Sequence, residues 1–461
     1  MIPIKEGFLM TPWAILYDET SLALERLYGL VSAQTPVLCL PFAQADQTLL
    51  QSHHIIHLGR EENCPAPAGG YRIRAEKDEN GLLRILLTGD GMINLLYAVV
   101  DFENDYLVRA RNADCHMPVY YFNSLFTDDM PEFDQSYVPS IRTRGLWTWG
   151  YVIHDYRGYL DHMVTLKLNQ LIIWNDTPPL NAREIIAYAH ARGIQIIWGF
   201  AWGWDTNCLA TNVQDLSALT RQIIETYERD YAPLGGDGIY FQSFTETSQE
   251  EIGGVLIADA VVRLVNQTAD QLLSRYPDLK IQFGLHATSV RNRLSYIAKV
   301  DPRVDILWED CGAFPYHYFA KKTEGLDETA AFTHQLQALR ARGFGAVLKG
   351  MISLNWNTFT HQPGPFVLGE ENKNHLAQLA EEKRPFWKYI QAYWLRNADA
   401  AMKIIGQFGP DDTIAALVED GMFESHIWFP VALYAAMLWD NQADVKDLIA
   451  RVALIPQVEF A

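Results

Sequence analysis

From residue 140 to residue 351 the chain repeats one unit, a short apolar run followed by an amphipathic stretch. The apolar runs fall at 145–149, 171–175, 195–200, 238–245, 280–285, 305–308 and 346–351. Between them, 159–168, 182–191, 216–227, 255–276 and 330–341 carry apolar residues near the 3.6-residue period of a helix. Gly193 and Gly343 come two residues after the ends of two of these helical stretches, the place where a chain leaves a helix in a left-handed turn. Strands alternating with helices and joined by short returns build a parallel sheet, and seven such units predict a (β/α)8 TIM barrel. A doubly wound open sheet is the alternative, but no glycine-rich phosphate loop follows any strand.

The flanking segments read differently. Residues 1–125 read as a small α+β domain. Short buried strands are expected at 37–40 and 54–59, a hairpin at 71–74 and 83–88, and a helix over 92–107. Residues 126–139, rich in acids and turn formers, read as a linker. The barrel is assigned to 140–372. From 373 to 461 the pattern is helical, at 376–382, 386–405, 413–419 and 430–439. The fold class is therefore α/β, a TIM barrel preceded by a small α+β domain and followed by a helical C-terminal region.

Hydrophobic residues make up 49% of the 461 and charged residues 20%, enough for a large core. A formal charge of −19 with no basic stripe excludes a nucleic-acid partner. No run of eighteen apolar residues predicts a membrane span. Five scattered cysteines (Cys39, Cys64, Cys115, Cys208, Cys311) have no zinc spacing, and with no signal-peptide pattern at Met1 they fit the cytoplasm.

Strand ends at the C-terminal face of such a barrel build its active site. Here they carry Trp147 and Trp149, then Trp174, Asn175 and Asp176, then Trp202 and Trp204. Strand four runs through Gln242 to Glu246, strand five ends at His286, strand six at Trp308, Glu309 and Asp310, and strand seven brings Lys349 with Trp356 beyond it. One tryptophan at a strand end is most often core, but several at one rim make a face on which sugar rings stack. His286 alone is more often structural, and adjacent acids commonly start solvated loops. Together, acids, amides and indoles at one rim are what glycoside hydrolysis needs. Glu246 is expected to protonate the leaving oxygen, with Glu309 or Asp310 activating water. A carboxyl separation of about 5 Å predicts retention and one of roughly 6.5–9.5 Å inversion. Lys349 is a candidate partner for an anionic sugar.

The segments Gly70-Tyr71-Arg72-Ile73-Arg74 and Leu87 to Ala98 resemble the small domain of family 67 α-glucuronidases and family 20 β-N-acetylhexosaminidases. Arg144-Gly145-Leu146-Trp147 resembles their first barrel strand, which implies a role for Arg144 in holding sugar hydroxyls. The likeness to α-glucuronidases continues from Leu166 through Gly193 into 237–246, and implies Glu246 as the catalytic acid. Family 20 chemistry places an Asp directly before that acid; this chain has Thr245. Beyond residue 250 the α-glucuronidase pattern for the base is absent.

The expected function is an exo-acting glycoside hydrolase, needing no cofactor or metal, that removes a terminal sugar from an oligosaccharide; uronic acid is one candidate. The alternative is a sugar-binding protein on an inactive hydrolase barrel. A metal-dependent barrel enzyme would need acids and histidines converging beyond Asp176, Glu246, His286 and Glu309. A homodimer through the C-terminal helices is a further expectation.

Overall fold

The computed structural model describes residues 11–33, 35–59, 65–111, 118–120, 132–149, 153–175, 177–203, 212–287, 289–309, 326–351, 364–369, 373–418, 423–455 and 457–460. The chain forms two compact units, Met1–Pro139 with Ala453–Gln457, and Ser140–Val452 with Val458–Ala461.

The first unit is built on a six-stranded sheet. In spatial order its strands are Val37–Pro41, Trp13–Tyr17, His54–Leu58, Leu83–Gly89, Tyr71–Lys77 and Phe133–Tyr137. The first four run parallel and the last two pair antiparallel. The hairpin turns at Gly81, whose φ of 77° suits a residue without Cβ. Helix Leu22–Ser32 begins at Ser21, whose hydroxyl accepts from the Leu24 amide at 3.2 Å. The stretch Phe133–Tyr137, read from its acids as linker, is an edge strand. Asp134 faces outward there and binds the Arg72 guanidinium, so its charge marks the exposed side of a strand.

The second unit is a closed barrel of eight parallel strands. In chain order they are Thr143–Trp149, Gln170–Trp174, Gln195–Gly199, Gly238–Gln242, Lys280–Leu285, Val304–Trp308, Phe344–Met351 and Thr413–Val418. Seven sit where the apolar runs predict them. The eighth, read as a helix, pairs with the seventh and first and closes the barrel. All six of its residues are buried, so Thr-Ile-Ala-Ala-Leu-Val lacks the alternation that marks a half-exposed strand.

The expected C-terminal helices lie around this strand: Lys373–Ile405, whose two helical stretches meet at Asn397, then Phe429–Trp439 and Val445–Val452. Strand four ends at Gln242, three residues short of its expected end, so Glu246 lies in the following loop. The barrel centre is packed by Trp147, Ile172, Trp174, Ile197, Tyr240, Leu307, Val347, Ala415 and Leu417. Among the described residues no helix is long and apolar enough to cross a membrane.

Candidate active site

Alternation along each barrel strand sends every second residue inward. With Tyr240, Leu307 and Val347 in the barrel core, the next inward positions toward the C-terminal face are Gln242, Glu309 and Lys349. His286 follows the end of strand five. These side chains close on one carboxylate.

Glu309 is fully buried. Its Oε1 accepts from the Tyr240 hydroxyl at 2.6 Å and from Gln242 Nε2 at 2.5 Å. Its Oε2 accepts from Gln242 Nε2 at 2.6 Å and from Lys349 Nζ at 2.7 Å, and lies 3.1 Å from His286 Nε2. Burial alone would raise the pKa of this carboxyl. The charges and hydrogen bonds of Lys349 and His286 outweigh burial and hold it well below the ordinary carboxylate range. Burial, reinforced by the charge of Glu309, pushes the Tyr240 phenol well above its ordinary value, which keeps it a donor.

Room for this cluster comes from Gly284 on strand five. A Cβ there would collide with Glu309 Oε1 and with the Tyr240 hydroxyl. The sequence places Tyr240 on the same strand face as Gln242 and Glu246, but Gly284 is not among the expected site residues. A glycine inside a buried strand is the signal that marks such a close approach.

Glu246 lies above the cluster, on the loop after strand four. Its side chain is 47% exposed, and its Oε2 is 3.9 Å from His286 Nε2. The same imidazole nitrogen thus faces the buried carboxylate below and the exposed one above. The site holds two carboxylates in opposite states, one saturated with donors and one open to solvent. The open carboxylate is within reach of a molecule bound at the rim. Glu309 is not, because its oxygens are occupied and sealed.

The other expected site residues separate into groups. Trp147 and Trp174 are fully buried beneath the cluster, their rings 6.2 Å apart and both packed on Tyr240. They form the floor of the site, with no face open for sugar stacking. Arg144 lies near the start of strand one, at the opposite end of the barrel. Its guanidinium donates to the carbonyls of Ile141, Arg142 and Lys167 at 2.7–2.9 Å and lies 5.0 Å from the Trp439 ring centroid. Its expected hold on sugar hydroxyls is corrected to a structural pin.

Trp202 and Trp308 face the helix layer instead of the rim. Trp202 stacks on Phe241 at 3.7 Å, and Trp308 packs edge-on against Phe332 of helix Leu326–Gln337. Both rings are buried; alternation along strand six sends Trp308 away from the barrel axis, and Trp202 lies past the end of strand three, in the loop. Asn175 is buried just past strand two. Asp176, Trp204, Asp310 and Trp356, and the side chain of Trp149, lie outside the described residues. Among the described residues no group of three or more His, Cys, Asp or Glu is placed to hold a metal ion.

No family profile and no curated protein matches the sequence. Solved structures do share the fold. A family 20 β-N-acetylhexosaminidase from Streptomyces coelicolor A3(2) is 10% identical, with a TM-score of 0.54 over 97% of this chain and 91% of that one. A family 20 β-N-acetylglucosaminidase is 12% identical, with a TM-score of 0.53 over 97% and 94%. The structure of CpGH84B is 9% identical, with a TM-score of 0.53 over 95% and 70%. The chain therefore has the fold of these glycoside hydrolases, divergent in sequence. An α-glucuronidase assignment gains no support from them.

Proposed function

We propose that this protein is an exo-acting glycoside hydrolase that removes a neutral terminal sugar, with Glu246 as the general acid. One observation carries the reading: Glu246 is a solvent-open carboxylate on the strand-end face where barrel enzymes place their chemistry, beside an imidazole anchored from below. When the glycosidic bond breaks, the Glu246 O–H bond breaks with it. The proton passes to the leaving oxygen, and the electron pair stays on the carboxylate.

The charge distribution argues for a neutral sugar over a uronate. Lys349 is paired with Glu309, and Arg144 is held at the other end of the barrel. Neither is placed to receive a sugar carboxylate. Glu309 is withdrawn from the water-activating role by burial, which leaves Asp310 as the proposed second carboxylate.

The saturation of Glu309 also favours a second reading, a sugar-binding protein that keeps Glu246 without a working base. Hydrolysis of a panel of aryl glycosides, neutral hexosides, N-acetylhexosaminides and uronides, separates the two. Turnover of a neutral glycoside supports the hydrolase. Sugar binding without turnover across the panel supports the binding protein, and turnover confined to uronides contradicts the charge argument.

A further inference from the structure

Helix Lys373–Ile405 buries Leu376, Ala380, Trp387, Ile390 and Trp394 toward its own unit. On the opposite side Glu382, Pro385, Tyr389, Ala392 and Arg396 are all exposed, Tyr389 by 48%. Their spacing alternates between three and four residues, the repeat with which one helix presents a straight seam to another. The seam is its own mirror in chemistry. A charge, a compact apolar residue, the tyrosine, a compact apolar residue and the opposite charge follow in order.

Two such helices laid antiparallel about a two-fold axis at Tyr389 match position for position. Glu382 comes opposite Arg396 of the second copy, Pro385 opposite Ala392, and Tyr389 opposite itself. A parallel pairing would set Glu382 on Glu382 and Arg396 on Arg396, so the charges select the antiparallel one. Both charges are available. Glu382 accepts from Gln378 Nε2 at 3.1 Å, and the Arg396 guanidinium lies 5.4 Å from the Tyr393 ring centroid. Among the described residues neither enters an ion pair. The Tyr389 ring rests between Phe386 and Tyr393, at centroid distances of 6.1 and 5.5 Å, which holds it as an anchor. Leu395, 40% exposed on the row beside the seam, widens its apolar area. Lys388 on that row is exposed and would meet its own copy, a repulsion that water screens.

We propose that this face is a homodimer interface, in which helix Lys373–Ile405 packs antiparallel on the same helix of a second copy. A second copy is the partner because the seam complements itself, as the single patch of a two-fold interface must. The seam ends at Arg396, one residue before the break at Asn397, and covers about four turns. So short a contact makes a weak, concentration-dependent dimer. The inference is independent of the hydrolase reading.

Sedimentation velocity on the full chain, over a range of concentrations, tests it in the wild type, Glu382→Arg, Arg396→Glu and the double variant carrying both. Each single reversal sets like charges against each other twice in a dimer. The double variant restores both pairs with their polarity exchanged. All substituted positions are exposed, and melting temperatures check that the fold is kept. The expected result is a monomer–dimer equilibrium, weakened about tenfold or more in each single variant and returned to within about threefold of wild type in the double. A wild type that stays monomeric up to about 1 mM overturns the proposal and leaves the face to a different partner. Dimers indifferent to both single reversals place the contact elsewhere and overturn it too. So does a double variant no tighter than the singles, because the two charges then do not face each other.

Discussion

Gly284 and Glu309 share one space inside the barrel: where strand five would carry a Cβ, strand six places a carboxylate oxygen. Every other feature of the cluster depends on that vacancy. Without it Tyr240, Gln242, His286 and Lys349 would have no common acceptor.

Gly284→Ala is therefore expected to destabilise the protein by about 1–3 kcal/mol, the usual range for overpacking a closed core. Glu309 must also move, so the effect on the site should exceed the effect on stability. Thermal denaturation read beside turnover checks this. An alanine variant with wild-type melting and turnover would show that the site has slack that the geometry denies.

The Glu309 pair makes a sharper demand on stability. Glu309→Gln removes the buried carboxylate that faces the partly buried Lys349 ammonium, and breaking one partner of a buried pair costs about 3–5 kcal/mol. Denaturant unfolding of the single variants, and of a double variant with Lys349→Met, tests the pairing. The double variant should recover part of the loss.

Acid sensitivity follows from the same carboxyl, whose folded pKa is depressed. Its stabilisation is complete above the unfolded carboxylate range. It is lost progressively as pH falls from about 5 toward the folded value. Melting temperatures of the wild type should fall across that window, and those of Glu309→Gln should fall less steeply. Parallel curves for the two proteins would refute this assignment.

Arg144 is predicted to matter for folding and not for sugar recognition. Arg144→Met removes the guanidinium donor from the carbonyls of Ile141 and Lys167 at the base of the barrel, while that of Arg142 keeps Asn169 Nδ2, a loss of about 1–3 kcal/mol. KM should stay within about twofold of wild type at a temperature where the variant is folded. A large rise in KM would return Arg144 to the substrate.

The barrel was legible because parallel strands with helical returns print a strong pattern, and seven runs carried it. The eighth was not, because Thr413–Val418 is buried on both faces and its alanines mimic a helix. Phe133–Tyr137 was missed for the opposite reason, since an edge strand tolerates charge. At the site, the strand ends named Gln242, Glu246, His286, Glu309 and Lys349, and the structure brings these side chains together. Trp308 turns to the helices because which side a strand residue faces depends on a one-residue register that aromatic content does not reveal, Trp202 lies beyond its strand, and Arg144, expected from the family resemblance, sits at the other end of strand one. The saturation of Glu309 was not readable either, since it depends on Gly284, a residue with no side chain to notice.

The general-acid role of Glu246 is tested most directly by varying the leaving group. Glu246→Gln is compared with the wild type on two glycosides of the same sugar, one with an alkyl leaving group and one with dinitrophenolate, which departs without a proton. The account predicts that kcat/KM for the alkyl glycoside falls by about 10²–10⁴-fold while bond cleavage in the dinitrophenyl glycoside is largely spared. Equal losses on both substrates, or no loss on either, would contradict it.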